Sequence, residues 1–543
     1  MNQLQKSFLM AVAVCSIFSC TPKKTEKKEA SVHQDLPWEE LRAKFECPAW
    51  YTEGKLGIWT HWGPQSQPEK GGGWYARHMY MQDIGRETWG KNAYTYHVET
   101  YGHPSEIGYK DVLNEWKADK LDTDALMKYF KSLGAKFFVG MANHHDHFDN
   151  FDSSHQPWNS VNVGPKRDIV GEFAKSAKKY GLPFGVSSHD DRHLSWWKTA
   201  FGADKHGPKK GIPYDGHMTK EDGKGKWWEG LDPADLYGLP PEKRTPEWIK
   251  KNSENWMQRH LELVRKYDLD MLWFDGYLYP YGEYGRKVCE EFYNKSLREN
   301  GKIDGLIAGK FGGISKEDQK AFVLDFERGY TSEILRRPWQ SITTLNGWFH
   351  KNERADRLNA RVLIENFSDI LSKNGVLLLN VELLGDGSFP EEHRKEFDDF
   401  GAWVNLNAPA IYKSKAWKVL GDNLDSDKAG LFAADETDLE QANKKAHNFN
   451  ERDLNSPPYG KDEVRFTVRD NKLYVFVLNP ETGTIRLPKL GLDSRFKPGK
   501  VSSVRMLGGT AVNFEQTDDY LQLSVPAERP NEYTAVFELE GAV

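Results

Sequence analysis

Between Lys55 and Val381, short apolar runs alternate with longer stretches patterned as amphipathic helices. The runs read as buried strands: Lys55–Trp62, Lys136–Ala142, Phe184–Ser188, Met271–Phe274, Leu306–Lys310, Ala321–Asp325, Ser341–Thr344 and Val376–Val381. Near-continuous hydrophobicity over so few residues suits strands covered on both faces, as in a parallel sheet. The intervals supply helices with recognisable ends. Asp122–Leu133 has Asp122 or Thr123 as a cap and Gly134 as a stop, Arg167–Tyr180 ends at Gly181, and a charge-rich helix runs from Trp248 to Lys266. Eight strands with helices between them predict an α/β fold, a (β/α)8-like barrel spanning residues 35–415.

After about Tyr412 the pattern changes to short alternating segments bounded by turns. These are Val464–Val468, Leu473–Leu478, Thr484–Leu487, Val504–Met506, Leu521–Val525 and Tyr533–Leu539. They predict a C-terminal antiparallel β-sandwich over residues 416–543. Within the barrel region, Phe201–Arg244 is rich in Gly, Pro and Lys and too long for a plain connector, so a functional loop is expected there.

The N-terminus follows a different logic. Lys6 precedes an apolar core from Phe8 to Phe18, the pattern of a secretory signal too short to span a bilayer. Ile17-Phe18-Ser19-Cys20 resembles a bacterial lipobox, with Cys20 as the lipidated residue, and Thr21–Ala30 reads as a charged tether. Residues 1–34 are therefore expected to be signal and tether of an exported bacterial lipoprotein, in the periplasm or at the outer membrane. Membrane contact is expected only through that lipid. Cys47 and Cys289 are too far apart in the chain to suggest a disulfide framework and are expected to be free.

A net charge of −6 over 543 residues leaves no basic stripe, which argues against a nucleic-acid partner. Nineteen tryptophans, by contrast, suit stacking on sugar rings as well as core packing. The chemistry-bearing residues gather where the strands end. His61 and Trp62 follow the first strand, with Trp74 and Tyr75 on its loop. His144, His145, Asp146 and His147 follow the second, and His189, Asp190 and Asp191 the third. Asp275 closes the fourth after Trp273 and Phe274, and Asp325, Glu327 and Arg328 close the sixth. Side chains at the carboxyl ends of barrel strands open onto the active face. Two carboxylates there, among histidines and tryptophans, fit glycoside hydrolysis, in which one attacks the anomeric carbon and the other protonates the leaving oxygen. The cluster at His144, His145, His147, Asp146, Asp149 and Asp152 could also suggest a metal. Adjacent histidines on an extended segment point to opposite faces, however, and the helical His-Glu-x-x-His spacing is absent. No metal and no cofactor are expected.

Several of these stretches, in this order, resemble signatures of the α-L-fucosidases of glycoside hydrolase family 29. They are Gly57-Ile58-Trp59-Thr60-His61-Trp62-Gly63, Trp74-Tyr75-Ala76-Arg77, His144-His145-Asp146, Trp273-Phe274-Asp275-Gly276 and Asn374-Gly375-Val376-Leu377-Leu378-Leu379-Asn380. The likeness covers roughly residues 35 to 420. It implies a barrel followed by a β-sandwich and cleavage with retention through a covalent glycosyl-enzyme. It also implies Asp275 as nucleophile and Glu327 as acid/base, with Asp325 and Glu333 as fallbacks. Expected sugar contacts are His61, Trp62, Trp74, Tyr75, His144, His145, His189, Trp273, Arg328 and Trp348. The chain departs from the family pattern at Gly73, where an acid is usual, at Ser187-Ser188-His189, and at Asn380-Val381-Glu382-Leu383. Gly73 is expected to leave a gap beside the sugar, so the substrate could be a fucosylated or an L-galactose-containing oligosaccharide, sulfated forms included. A sugar-binding lipoprotein without turnover is the non-enzymatic alternative, against which the presence of both Asp275 and Glu327 argues.

Overall fold

A computed structural model describes residues 34–83, 92–311, 314–329, 331–352, 358–424, 431–433 and 454–543. Cys20 and the rest of the expected signal segment lie outside them. Eight parallel strands close a barrel in chain order: β1 (Leu56–Thr60), β2 (Phe137–Asn143), β3 (Phe184–Ser188), β4 (Met271–Phe274), β5 (Leu306–Gly309), β6 (Val323–Glu327), β7 (Trp339–Thr344) and β8 (Gly375–Asn380). Closure comes from β1, which pairs with β2 on one side and β8 on the other.

Alternate residues of each strand face inward. Trp59, Phe137, Val139, Met271, Trp273, Leu306, Ala308, Ile342, Val376 and Leu378 form one buried cluster inside the barrel. Gly57 makes room for it, because a Cβ there would lie 2.2 Å from the Phe137 ring. The opposite faces, with Ile58, Phe138, Leu272 and Phe274 among them, pack in a second cluster against the helices. The Thr123–Ser132 helix is capped by Asp122, which accepts from the Ala125 N–H at 2.9 Å. The Ile169–Tyr180 helix stops at Gly181, whose φ of +66° needs no Cβ. The short helix Ala49–Thr52 presents Tyr51 to the inner cluster, where its hydroxyl donates to Gln340 at 3.2 Å and closes the end of the barrel away from the strand carboxyl ends.

The C-terminal part forms two antiparallel sheets from β9 (Lys415–Asp422), β10 (Val464–Arg469), β11 (Lys472–Val477), β12 (Gly483–Leu487), β13 (Ser503–Met506), β14 (Phe514–Gln516), β15 (Leu521–Val525) and β16 (Ala535–Glu540). One has the order β13-β16-β11-β10-β9 and the other β12-β15-β14. They share a core around Trp417, Phe466, Val475 and Phe537. Tyr474, Phe476 and Val536 instead join the cluster that packs on the barrel. Arg465 ties the two parts by donating to Asp369 at 2.7 Å. Both Cys47 and Cys289 are free thiols.

Candidate active site

At the carboxyl ends of the strands opens a cavity of about 830 Å³. His61 follows β1, His144 and His145 follow β2, His189 follows β3, Asp275 follows β4, Lys310 follows β5, and Glu327 ends β6. Asn346, Trp348, Phe349 and Lys351 enter from the segment after β7. His144 and His145 both face this cavity, with ring centroids 4.6 Å apart. The expectation that neighbouring histidines diverge is thus corrected: β2 ends at Asn143, and the chain turns instead of continuing extended.

The two carboxylates are joined by a residue that the sequence reading gave no role. Lys310 donates to Asp275 Oδ1 at 2.7 Å and to Glu327 Oε2 at 2.5 Å. These two bonds keep the linked oxygens within about 5 Å of each other. On its other side Asp275 Oδ2 lies 3.4 Å from His189 Nδ1 and 3.8 Å from His145 Nε2. Burial opposes ionisation of Asp275, but the Lys310 ammonium and the His189 contact hold its carboxyl well below the usual carboxylate range. This setting favours the ionised carboxylate at Asp275.

The imidazoles are neutral. Burial lowers His61 and His144 well below the ordinary histidine value, brings His145 down to about 4 and also lowers His189. A neutral imidazole can donate from one nitrogen and accept at the other, which suits sugar hydroxyls. Gln65 occupies His144 Nδ1 at 2.7 Å, which directs the other nitrogen of that ring to the cavity side. Trp273 packs 5.0 Å from His189 and 5.3 Å from Trp59, and gives the floor an aromatic wall. Toward the mouth, the Arg328 guanidinium lies 4.5 Å over the Trp348 ring, aimed there by a left-handed backbone (φ +48°).

Among the expected site residues, Asp275, Glu327, His61, Trp74, His144, His145, His189, Trp273, Arg328 and Trp348 line the cavity. Trp62 and Tyr75 do not, which corrects their expected contact with sugar. Adjacent to His61 and facing the other way, Trp62 is buried against Trp116 and donates to the Leu384 carbonyl at 2.8 Å. The Tyr75 hydroxyl is 2.7 Å from His97 Nδ1, inside the helical layer. The fallback Asp325 lies beneath the site, bonded to Gln340 at 2.7 Å, and Glu333 is not part of the wall. The long segment from Phe201 to Arg244 contributes no lining residue either. Its Asp204, Asp215 and Tyr237 tie it instead to Tyr80, Tyr94 and Lys110 in an outer layer.

Gly73 does line the cavity, but the space its own side chain would take is already occupied. A Cβ at Gly73 would lie 2.8 Å from the Phe349 ring and 3.5 Å from His144. Phe349 fills the space that the sequence reading left open.

Two groups have metal-ligand spacing among the described residues: His61, His144 and His189, and His147, Asp190 and His193. The second already holds a cation. Arg259 donates to Asp190 at 2.6 Å and lies 2.9 Å from His147 Nδ1, where an ion would stand. The first presents three neutral nitrogens beside Asp275, a set that can ligate a metal or bind hydroxyls.

The family model for alpha-L-fucosidase matches residues 21–409. Tissue alpha-L-fucosidase of Bos taurus is 24% identical over 389 residues, covering 70% of this chain and 72% of that protein. Plasma alpha-L-fucosidase of Homo sapiens is 24% identical over 412 residues, covering 72% and 75%. Among solved structures, Thermotoga maritima alpha-fucosidase in complex with a mechanism based inhibitor is similar with a TM-score of 0.65 at 24% identity, covering 93% of this chain and 99% of that one. Alpha-L-fucosidase isoenzyme 1 from Paenibacillus thiaminolyticus gives 0.62 at 23% identity, covering 93% and 100%. With the match spanning the whole barrel, the chain belongs to the alpha-L-fucosidase family of glycoside hydrolases.

Proposed function

We propose that the protein releases terminal α-L-fucose from oligosaccharides with retention, by double displacement. In the first step an Asp275 oxygen bonds to the anomeric carbon as the bond from that carbon to the leaving oxygen breaks. Glu327 gives its proton to that oxygen. In the second step Glu327 takes a proton from water, the water oxygen bonds to the anomeric carbon, and the Asp275 carboxylate departs. Lys310 keeps the two carboxyl groups in register, and the neutral histidines and Trp273 receive the sugar.

The observation that carries this reading is the Asp275–Lys310–Glu327 bridge, which holds the two carboxylates close together. The test is hydrolysis of an aryl α-L-fucoside followed by NMR. The first sugar formed should be the α-anomer, and a β-anomer would reject retention. Asp275→Ala should lose several orders of magnitude in kcat, and near-wild-type turnover would reject its role. The ratio of specificity constants on the α-L-fucoside and the α-L-galactoside decides between the two sugars.

We also propose that the chain is exported and lipidated at Cys20. Labelling with a radioactive fatty acid should mark the wild type and leave Cys20→Ser unmarked.

A further inference from the structure

The cavity wall is not built by the barrel alone. The chain leaves the C-terminal five-stranded sheet after β9 and returns to it at β10, and between the two it reaches the site. Leu454 and Asn455, from this connection, line the cavity together with residues that belong to the barrel. The described parts of the connection make contacts with the rest of the protein. Upstream, Ile334 N–H donates to the Leu431 carbonyl at 2.9 Å, and Ala433 N–H donates back to Ile334 at 2.9 Å. Arg336 adds a bond to the Ala433 carbonyl at 3.0 Å. Downstream, Arg361 donates to the Ser456 carbonyl at 3.4 Å and Asn479 to the Tyr459 carbonyl at 3.0 Å. Ile334 and Arg336 sit on the β6–β7 segment, a few residues beyond Glu327, so residues 431–433 lie against the segment that follows it.

Burial gives the cavity a direction. His145 and His189 are 6% and 3% exposed, Asp275 16%, and Glu327 29%. A sugar held at the floor therefore has its anomeric carbon at Asp275 and its leaving oxygen beside Glu327, and the leaving group extends outward. The outer lining there includes Arg328 on Trp348 and Leu454, which at 37% is among the most exposed large apolar side chains of the described residues. An apolar side chain paired with an amide at a cavity mouth matches one face and one edge of a pyranose, whose C–H groups pack while its hydroxyls bond.

We propose that Leu454 and Asn455, contributed from outside the barrel, are the residues that receive the sugar on the leaving side. This rests on the assignment of Asp275 and Glu327 above.

The test compares wild type, Leu454→Ser, Asn455→Ala and the double variant on two kinds of substrate. One is an aryl α-L-fucoside, whose phenolate leaves without a sugar subsite. The other is a panel of α-L-fucosyl disaccharides of each linkage, of which the one that wild type cleaves fastest is used. In the double variant, kcat/KM for that disaccharide should fall about ten-fold or more, mainly through KM, while the aryl substrate stays within about three-fold. The retained aryl activity also shows that the variant is folded. Equal losses on both substrates, an unchanged ratio, or a wild type that cleaves the aryl fucoside but none of the disaccharides would each overturn the subsite. Failure of wild type on the aryl substrate overturns the fucosidase reading itself and is thus a separate result.

Discussion

The Phe349 ring stands where a side chain on Gly73 would have to be: an added Cβ would approach it to 2.8 Å. Phe349 in turn touches the cavity-lining imidazoles, its ring centroid 4.5 Å from His61 and 5.3 Å from His144. Pressure at Gly73 is therefore passed to the floor of the site. Gly73→Glu should lower kcat/KM on the aryl α-L-fucoside by about ten-fold or more, since buried aromatic rings in a packed wall yield poorly. Adding Phe349→Ala to Gly73→Glu should recover part of that loss, and the double-mutant cycle should show coupling well above zero. Strict additivity of the two changes would mean that the ring does not transmit the clash.

Lys310 is the second prediction. Its ammonium bonds both carboxylates and counters the burial that would otherwise raise Asp275. Lys310→Met should cut kcat about 100-fold. It should also move the acidic limb of the kcat/KM profile to higher pH, because an Asp275 without its cation ionises later. Lys310→Arg should keep the limb near its wild-type position while changing kcat less. A loss of rate with an unmoved acidic limb would mean that Lys310 acts on structure and not on the charge of Asp275.

The strands could be read from the chain because each carries its own apolar run, and a buried parallel strand needs little else. All eight barrel strands fall within two residues or so of their expected ends, and the strand-end rule brought most of the site with them. What escaped the reading depended on direction or on distance. Trp62 follows His61 immediately, but at the exit of β1 the two side chains face opposite ways, so only His61 reaches the cavity. Lys310 was visible as the last residue of the fifth strand, but a lone lysine has no pattern until two carboxylates are seen around it. Phe349 offered no signal beyond following Trp348. Leu454 and Asn455 lie more than a hundred residues from the barrel residues they face, and no local periodicity encodes such a return. Strand β9 was missed because its burial begins only at Trp417, after two residues that still touch solvent.

Arg259 supports the third prediction. Fully buried, it binds Asp149 through two nitrogens at 2.5 and 2.9 Å and Asp190 at 2.6 Å. Asp190 adjoins His189, so this pair fixes the loop that presents one of the imidazoles. Arg259→Met strands two carboxylates in the interior and should cost about 3–5 kcal/mol of unfolding free energy. Arg259→Lys keeps the charge but cannot bind Asp149 with two nitrogens, and should fall between the variant and wild type. Chemical denaturation at neutral pH measures both, and a Met variant within about 1 kcal/mol of wild type would contradict the network's importance.

The last prediction separates Asp325 from Glu327 and uses pH to do so. Asp325 is buried under the site, and burial pushes its carboxyl up to about 7 despite the bond from Gln340. In the unfolded chain the same group ionises near about 3.9. Ionisation above that pH is thus easier in the unfolded chain than in the fold. The contribution of Asp325 to stability is complete below about pH 4 and declines as pH rises toward 7, by up to about 1.4 kcal/mol per pH unit. Asn at this position cannot titrate. Asp325→Asn should therefore gain stability relative to wild type on going from pH 4 to pH 8, read as the difference between their denaturation midpoints at each pH. Its activity on the aryl fucoside should stay within about ten-fold of wild type if, as proposed, Glu327 is the proton donor. A difference in midpoints that does not change with pH would show that Asp325 ionises normally in the fold. Loss of activity as deep as that of Glu327→Ala would instead make Asp325 part of the proton transfer.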